Sequence, residues 1–434
     1  MKSTVVLLLA ALSCLVVCPD VYAQETSPAP TVAPVPSIAP DADPATSTRA
    51  WLDTVPADKR AKSDAYFEGG YWLILWNFLL AAAISIFLLS SRLSARLRNS
   101  TERMTRFKAL QVALYGIAYI ILTAALTFPL TVYEGFYREH KYGLATHTFG
   151  SWALDQLKGL AFGLIALPLL LIALYAVFRK APRTWWIWAT CVMVAFSLVV
   201  QFVFPVFVAP AFNKYTPLKD PALREPILAL ARANQIPTDK VFVVDASRQT
   251  TRVSANVAGF LGTTRIALND NLLKQCTLPE IRAVMAHEMG HYVLNHGVKL
   301  TIYAGIFFLV GFGLARFAFD AVVRKRGPAW GVRGIGDPAG LPLLVLILAT
   351  YFFLITPFDN TAVRVTESEA DIFGLNAARE PDGFAKVALK LGTYRKLDPS
   401  PIEEFIFFDH PSGRARIRMA MDWKAAHLPA GGDE

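Results

Sequence analysis

The sequence predicts a mainly α-helical, polytopic membrane protein, and three observations carry that reading. The 434 residues are 54% hydrophobic with a mean hydropathy of +0.38, too apolar for an ordinary soluble chain. Six segments, near 71–90, 110–131, 158–178, 184–207, 300–322 and 340–357, are apolar enough to cross a bilayer, which takes about 20 residues each. The connections after the first, third and fifth segments are basic. They carry Arg92, Arg96, Arg98, Arg103, Arg106 and Lys108, then Arg179, Lys180 and Arg183, then Arg324, Lys325, Arg326 and Arg333. Cationic loops of this kind face the cytoplasm. The net charge of +9 therefore reads as membrane topology, and no nucleic-acid partner is expected.

The elements follow in order. Lys2, the apolar run VVLLLAALSCLVV and then VYA before Gln24 form a signal-peptide pattern over residues 1–23. Residues 24–65 read as a Pro/Ala-rich disordered linker, too poor in apolar surface to build a core. Residues 66–207 should hold four transmembrane helices and 300–357 a transmembrane hairpin. Between and after them lie two mostly polar stretches, 208–299 and 358–425, followed by a tail at 426–434. An exported residue 24 and the basic loops agree in placing both polar stretches outside the cytoplasm, on a multi-pass protein of the cell (inner) membrane. Cys14 and Cys18 fall in the signal segment and Cys191 in a span, so no pair staples a domain, and Cys276 reads as a lone buried thiol.

The chemistry sits in TLPEIRAVMAHEMGHYVLNHG, residues 277–297. Thr277 and Glu280 suggest a capping box, Pro279 lies in the first turn, and Gly297 is expected to end the helix. His287 and His291 are four apart, so both imidazoles project from one face toward one metal ion. Glu288 lies about 100° round the helix, beside such an ion rather than on it, where a base for the attacking water belongs. Two ordinary helix histidines are the plain alternative. Catalytic zinc usually has three protein ligands. In RVTESEAD, residues 364–371, Glu367 and Asp371 share a helix face, so Glu367 can ligate while Asp371 fixes a histidine ring. A solvated acidic face is the alternative, and Glu369 points elsewhere. Asn295 and His296 read as helix-end hydrogen-bonding residues, with Asn295 supporting the site from behind its ligands.

Several blocks together resemble the CAAX prenyl protease type 1 family, the integral-membrane gluzincin metallopeptidases. They are AHEMGHYVLNH, ESEAD, APAFNKYTPL (209–218), REHKYGLATHTFG (138–150), GFLGTTRIALNDNLL (259–273) and HPSGRARI (410–417), in order between about residues 65 and 425. The resemblance implies helices around an intramembrane chamber and a zinc-protease domain with a small β element. It implies one Zn2+ held by His287, His291 and Glu367, Glu288 as general base and Asp371 behind the ligands. It also implies that His410 and Arg416 face substrate. Two departures stand out. Residues 253–260 read VSANVAGF where the family has Asn-Ala and then an aromatic residue, so Ser254, Ala255 and Asn256 are candidate substrate-edge residues. Eukaryotic members resemble seven-span proteins, against six spans here after the signal peptide.

The reading is a zinc metalloendopeptidase embedded in the lipid bilayer and acting on extended, unfolded or membrane-associated polypeptides. A non-proteolytic transporter or scaffold with a relic metal site, or a zinc hydrolase of lipid or cell-wall material, are the alternatives.

Overall fold

A computed structural model describes residues 43–259 and 264–428. The expected signal peptide and residues 24–42 of the expected linker lie outside them. Among the described residues, six helices are long and apolar enough to cross a membrane. They are α2 (Ala57–Ser90), α4 (Lys108–Tyr142), α5 (Phe149–Lys180), α6 (Trp185–Phe212), α10 (His296–Trp330) and, after a short turn at Pro338–Gly340, α11 (Leu341–Ala378). Single π-turns at Tyr133–Tyr137 and Phe204–Val208 interrupt α4 and α6 near their ends. The spans share an apolar core in which Tyr115, Tyr175, Phe178, Trp185, Phe312 and Phe319 interlock.

The linker expectation fails over residues 43–65. Asp43 caps α1 (Pro44–Asp53) by accepting from the Ala45 and Thr46 amides, and α2 begins at Ala57. The composition is poor in apolar residues, but Trp51 and Leu52 stand on one face and are fully buried. They pack against Phe384, Ile417 and Met421, so two apolar side chains fix the helix.

The basic loops gather at one end of the bundle. After α2, α3 (Leu93–Met104) packs against the turn between α10 and α11. Ser94 donates to the Ala339 carbonyl, and Arg98 and Asp337 form a buried ion pair. Arg179 lies against Gly336 in the same knot.

The polar stretches meet at the opposite end. Strands β1 (Tyr215–Pro217), β2 (Val241–Val244), β3 (Ala255–Ala258) and β4 (Arg265–Asn269) form one sheet in the order β1-β2-β4-β3. Only the β2–β4 pair is parallel. Helices α7 (Pro221–Ala233) and α9 (Leu278–Val293) cover it, with Ile227, Ile266, Leu268, Met285 and Met289 at the centre of their shared core. Short α8 (Asp270–Gln275) joins the sheet to α9. Beyond α11 come α12 (Pro381–Leu391), α13 (Pro401–Phe407) and α14 (Gly413–His427).

Candidate metal centre

Helix α9 begins with the capping box of Thr277 and Glu280, with Pro279 in its first turn. It stops at Val293, four residues before the expected Gly297. Asn295 adopts the left-handed conformation at φ 54°, which an asparagine tolerates, and α10 starts at His296. Helix α11 then crosses α9 at very short range. A Cβ on Gly374 would stand 3.0 Å from the His287 amide nitrogen, and one on Gly290 would stand 3.2 Å from Ala370 Cα. The close crossing brings Glu367 to the two histidines although a transmembrane hairpin separates them in sequence.

Ligand-capable atoms of His287, His291 and Glu367 all lie within 4.8 Å of one another. The two histidine Nε2 atoms face each other at 3.1 Å. Glu367 Oε2 is 3.4 Å from His287 Nε2, and its Oε1 is 3.5 Å from His291 Nε2. A tetrahedral ion with bonds of about 2.0–2.1 Å would hold its ligand atoms about 3.3 Å apart. The three edges fit that size, and two imidazoles with one carboxylate are a donor set suited to zinc.

Outward-facing atoms hold this triangle in place. His287 Nδ1 lies 2.7 Å from Asp371 Oδ1, and Asp371 receives Arg416 through Nε at 2.8 Å and Nη2 at 2.9 Å. Burial works against a charged His287, but the Asp371 and Glu367 carboxylates outweigh it and lift the imidazole well above its usual range. A cation arriving between the Nε2 atoms would displace that proton. For His291, burial and the charge of His287 push the pKa down to about 4. Burial also lifts the Glu288 carboxyl to about 7, with His287 opposing the shift and Glu367 adding to it.

His410, carried by the turn between α13 and α14, places Nε2 3.3 Å from Glu367 Oε2 and Nδ1 2.8 Å from Asp409. Arg364 holds that turn to α11 by donating to the Glu404 and Phe408 carbonyls, and Asn360 donates to Ile406. The structure gives Arg416 and Asn295 the following surroundings. Arg416 is buried behind the carboxylates, with two nitrogens committed to Asp371, rather than presented to substrate. Asn295 is exposed, and its side chain reaches only the Val293 carbonyl among the described residues. Its φ > 0 backbone turn instead returns His296 to His291. Sequence reasoning set aside His296 and Glu369, yet His296 Nδ1 lies 2.8 Å from His291 Nδ1 and its Nε2 3.0 Å from Glu369. The trailing Asn-His was the available signal. Ser254 and Asn256 are exposed and Ala255 is buried, on or beside the outer strand β3.

Comparison with known proteins bears on this geometry. Residues 217–424 match peptidase family M48, and residues 46–214 match the CAAX prenyl protease N-terminal region, described as five membrane helices. Four of the six candidate spans lie in that second stretch. A metalloprotease of Bacillus subtilis, YhfN, is 31% identical over 77% of this chain and 78% of its own length. CAAX prenyl protease 1 of Saccharomyces cerevisiae is 32% identical over 73% of this chain and 74% of its own. The crystal structure of S. mikatae Ste24p shares the fold, with a TM-score of 0.72 at 22% identity, covering 85% of this chain and 90% of that one. The family implies a metal cofactor, generally zinc. The chain belongs to peptidase family M48 and is a multi-pass membrane metalloendopeptidase.

Proposed function

We propose that the protein hydrolyses peptide bonds of extended or membrane-associated polypeptides at one zinc ion held by His287, His291 and Glu367. The supporting observation is the open triangle of two Nε2 atoms and one carboxylate, matched in size to a tetrahedral ion. A zinc ion there would supply Lewis-acid polarisation of water and of the scissile carbonyl. Glu288, whose burial favours a proton acceptor of near-neutral pKa, takes the proton of the attacking water and returns it to the leaving amine. His410, turned toward the site with Nδ1 on the Asp409 carboxylate, donates from Nε2 in its protonated form to the oxygen that gains negative charge. Asp371, held by Arg416, orients His287.

Substrate lies along β3, with Ser254, Ala255 and Asn256 at that edge. The basic knot at the far end of the bundle supports a site on the extracytoplasmic side of the inner membrane. Prenylated CAAX proteins are absent there, so unfolded or membrane-anchored chains are the substrate class. Access runs through the helix-lined chamber that the family implies.

Glu288→Gln should retain zinc and lose chelator-sensitive cleavage of an unfolded peptide by at least about a thousandfold. Full activity in that variant would overturn the assignment. Protease protection of the C-terminus in sealed vesicles tests the orientation.

A further inference from the structure

His291 has two ring nitrogens, and the metal-site reading uses one. Nε2 faces His287 and Glu367, whereas Nδ1 lies 2.8 Å from His296 Nδ1. His296 is only 1% exposed, and its Nε2 stands 3.0 Å from Glu369 Oε2. Both Glu369 oxygens accept from Lys299 Nζ, at 2.6 and 2.7 Å. The contacts run from the metal-facing ring to a partly exposed ion pair that joins the start of α10 to α11.

Donor and acceptor chemistry fixes the direction of this chain. Lys299 only donates and the Glu369 carboxylate only accepts, so His296 Nε2 must carry a proton for Glu369. A neutral His296 then has a bare Nδ1, which accepts, so His291 Nδ1 must hold the other proton. That leaves the His291 lone pair on Nε2, the atom beside Glu367 and His287. The local backbone makes the contact possible. On an unbroken helix His296 would lie about 140° round from His291. The φ 54° turn at Asn295 swings it back. The two ligand histidines are thus held differently. His287 meets the Asp371 carboxylate directly, whereas His291 reaches a carboxylate only through a second imidazole.

We propose that His296, Glu369 and Lys299 form a positioning chain that locks His291 in its Nε2-ligating tautomer and strengthens its hold on a divalent metal. This rests on the metal-site reading above. The test uses the full chain in detergent, with zinc affinity measured by competition with a chromogenic chelator and ligand geometry by the visible spectrum of the Co2+ form. His296→Ala should weaken zinc binding about 10- to 100-fold and shift the Co2+ bands. His296→Asn, whose amide oxygen can accept from His291 Nδ1, should recover much of that loss. Glu369→Gln, which keeps an acceptor without the charge, should cost a smaller factor. A folded His296→Ala protein with unchanged zinc affinity and Co2+ spectrum would reduce the contacts to packing and overturn the proposal. If that variant does not fold, Glu369→Gln and Lys299→Met decide, and wild-type affinity in both overturns it. Glu288→Gln run in parallel separates the two readings. Full activity there defeats the functional assignment, whereas unchanged affinity in the chain variants defeats only the positioning role.

Discussion

The two ends of the helical bundle treat buried charge in opposite ways. At the loop end, Arg98 meets Asp337 directly, Asp337 also accepts from the Arg333 amide at 2.9 Å, and Arg333 reaches Glu102 at 2.8 Å. Each of these four charges has a partner at hydrogen-bonding range. At the catalytic end, Glu367 is buried among His410, His287, His291 and Arg416 at 3.3, 3.4, 3.5 and 3.5 Å. All four distances exceed the usual N–H···O range. A carboxylate would not be buried at such spacing for stability, because its desolvation is then poorly compensated. The first arrangement is complete in the protein alone, whereas the second has room for a cation at its centre.

Removing the central charge is the strongest way to break this contrast. Glu367→Gln should lose zinc affinity and drop peptide hydrolysis by at least about a thousandfold, because one of the three proposed ligands loses its charge. Wild-type zinc affinity by chelator competition would show that the ion sits elsewhere. The loop end should respond in stability instead. Asp337→Asn leaves the buried Arg98 guanidinium with only the more distant Glu102 carboxylate at 3.8 Å, so thermal or denaturant unfolding should report a loss of up to about 3 kcal/mol. Zinc content and turnover per folded molecule should stay at the wild-type level. A fall in turnover with unchanged stability would show that the two ends are coupled.

The same contrast explains what the sequence made legible. Six spans and the α9 helix are local patterns, read from hydropathy and from four-residue spacing. The proposed third ligand needed the whole-chain resemblance, because Glu367 reaches α9 only after the 300–357 hairpin is folded. His296 reads as a hydrogen-bonding helix-end residue, but its partner His291 was not legible because helical periodicity places the two on different faces. A left-handed turn at Asn295 restored the contact, and periodicity cannot foresee such a break. Helix α1 was lost to composition, although Asp43-Pro44 is a helix-start pair and Trp51-Leu52 offers an apolar face. The role of Arg416 depended on which nitrogens Asp371 had already taken.

The close crossing of α9 and α11 allows a milder test. A methyl on Gly374 would press on the His287 backbone nitrogen at 3.0 Å, and backbone cannot rotate away as a side chain can. Gly374→Ala should therefore push the two ligand-bearing helices apart by a few tenths of an ångström. If the whole overpacking cost of about 1–3 kcal/mol falls on the metal-bound state, zinc affinity drops roughly 5- to 150-fold, short of the Glu367 variant. Unchanged affinity would mean that the crossing has slack and that the triangle is set by its hydrogen bonds alone.

The smallest effect is expected at the substrate edge, and its sign follows from strand register. The Asn269 amide donates to the Ser254 carbonyl at 2.9 Å, and Ala255, Asn256 and Val257 stand opposite Leu268, Ala267 and Ile266. Hydrogen-bonded and open pairs alternate in an antiparallel ladder, so Ser254 and Asn256 turn their backbone groups toward β4. Ala255 and Val257 turn theirs outward, at the edge of the sheet. If substrate adds a strand there, the outward N–H of Val257 matters more than the Asn256 side chain. Val257→Pro deletes that donor without removing a ladder bond, a placement that edge strands tolerate. One lost backbone hydrogen bond, worth about 0.5–1.5 kcal/mol, should raise KM roughly 2- to 10-fold while kcat holds. Asn256→Ala should stay within about twofold of wild type, since it leaves every backbone donor in place. The reverse ranking, with Asn256→Ala the more damaging, would mean that side chains rather than backbone read the substrate at β3.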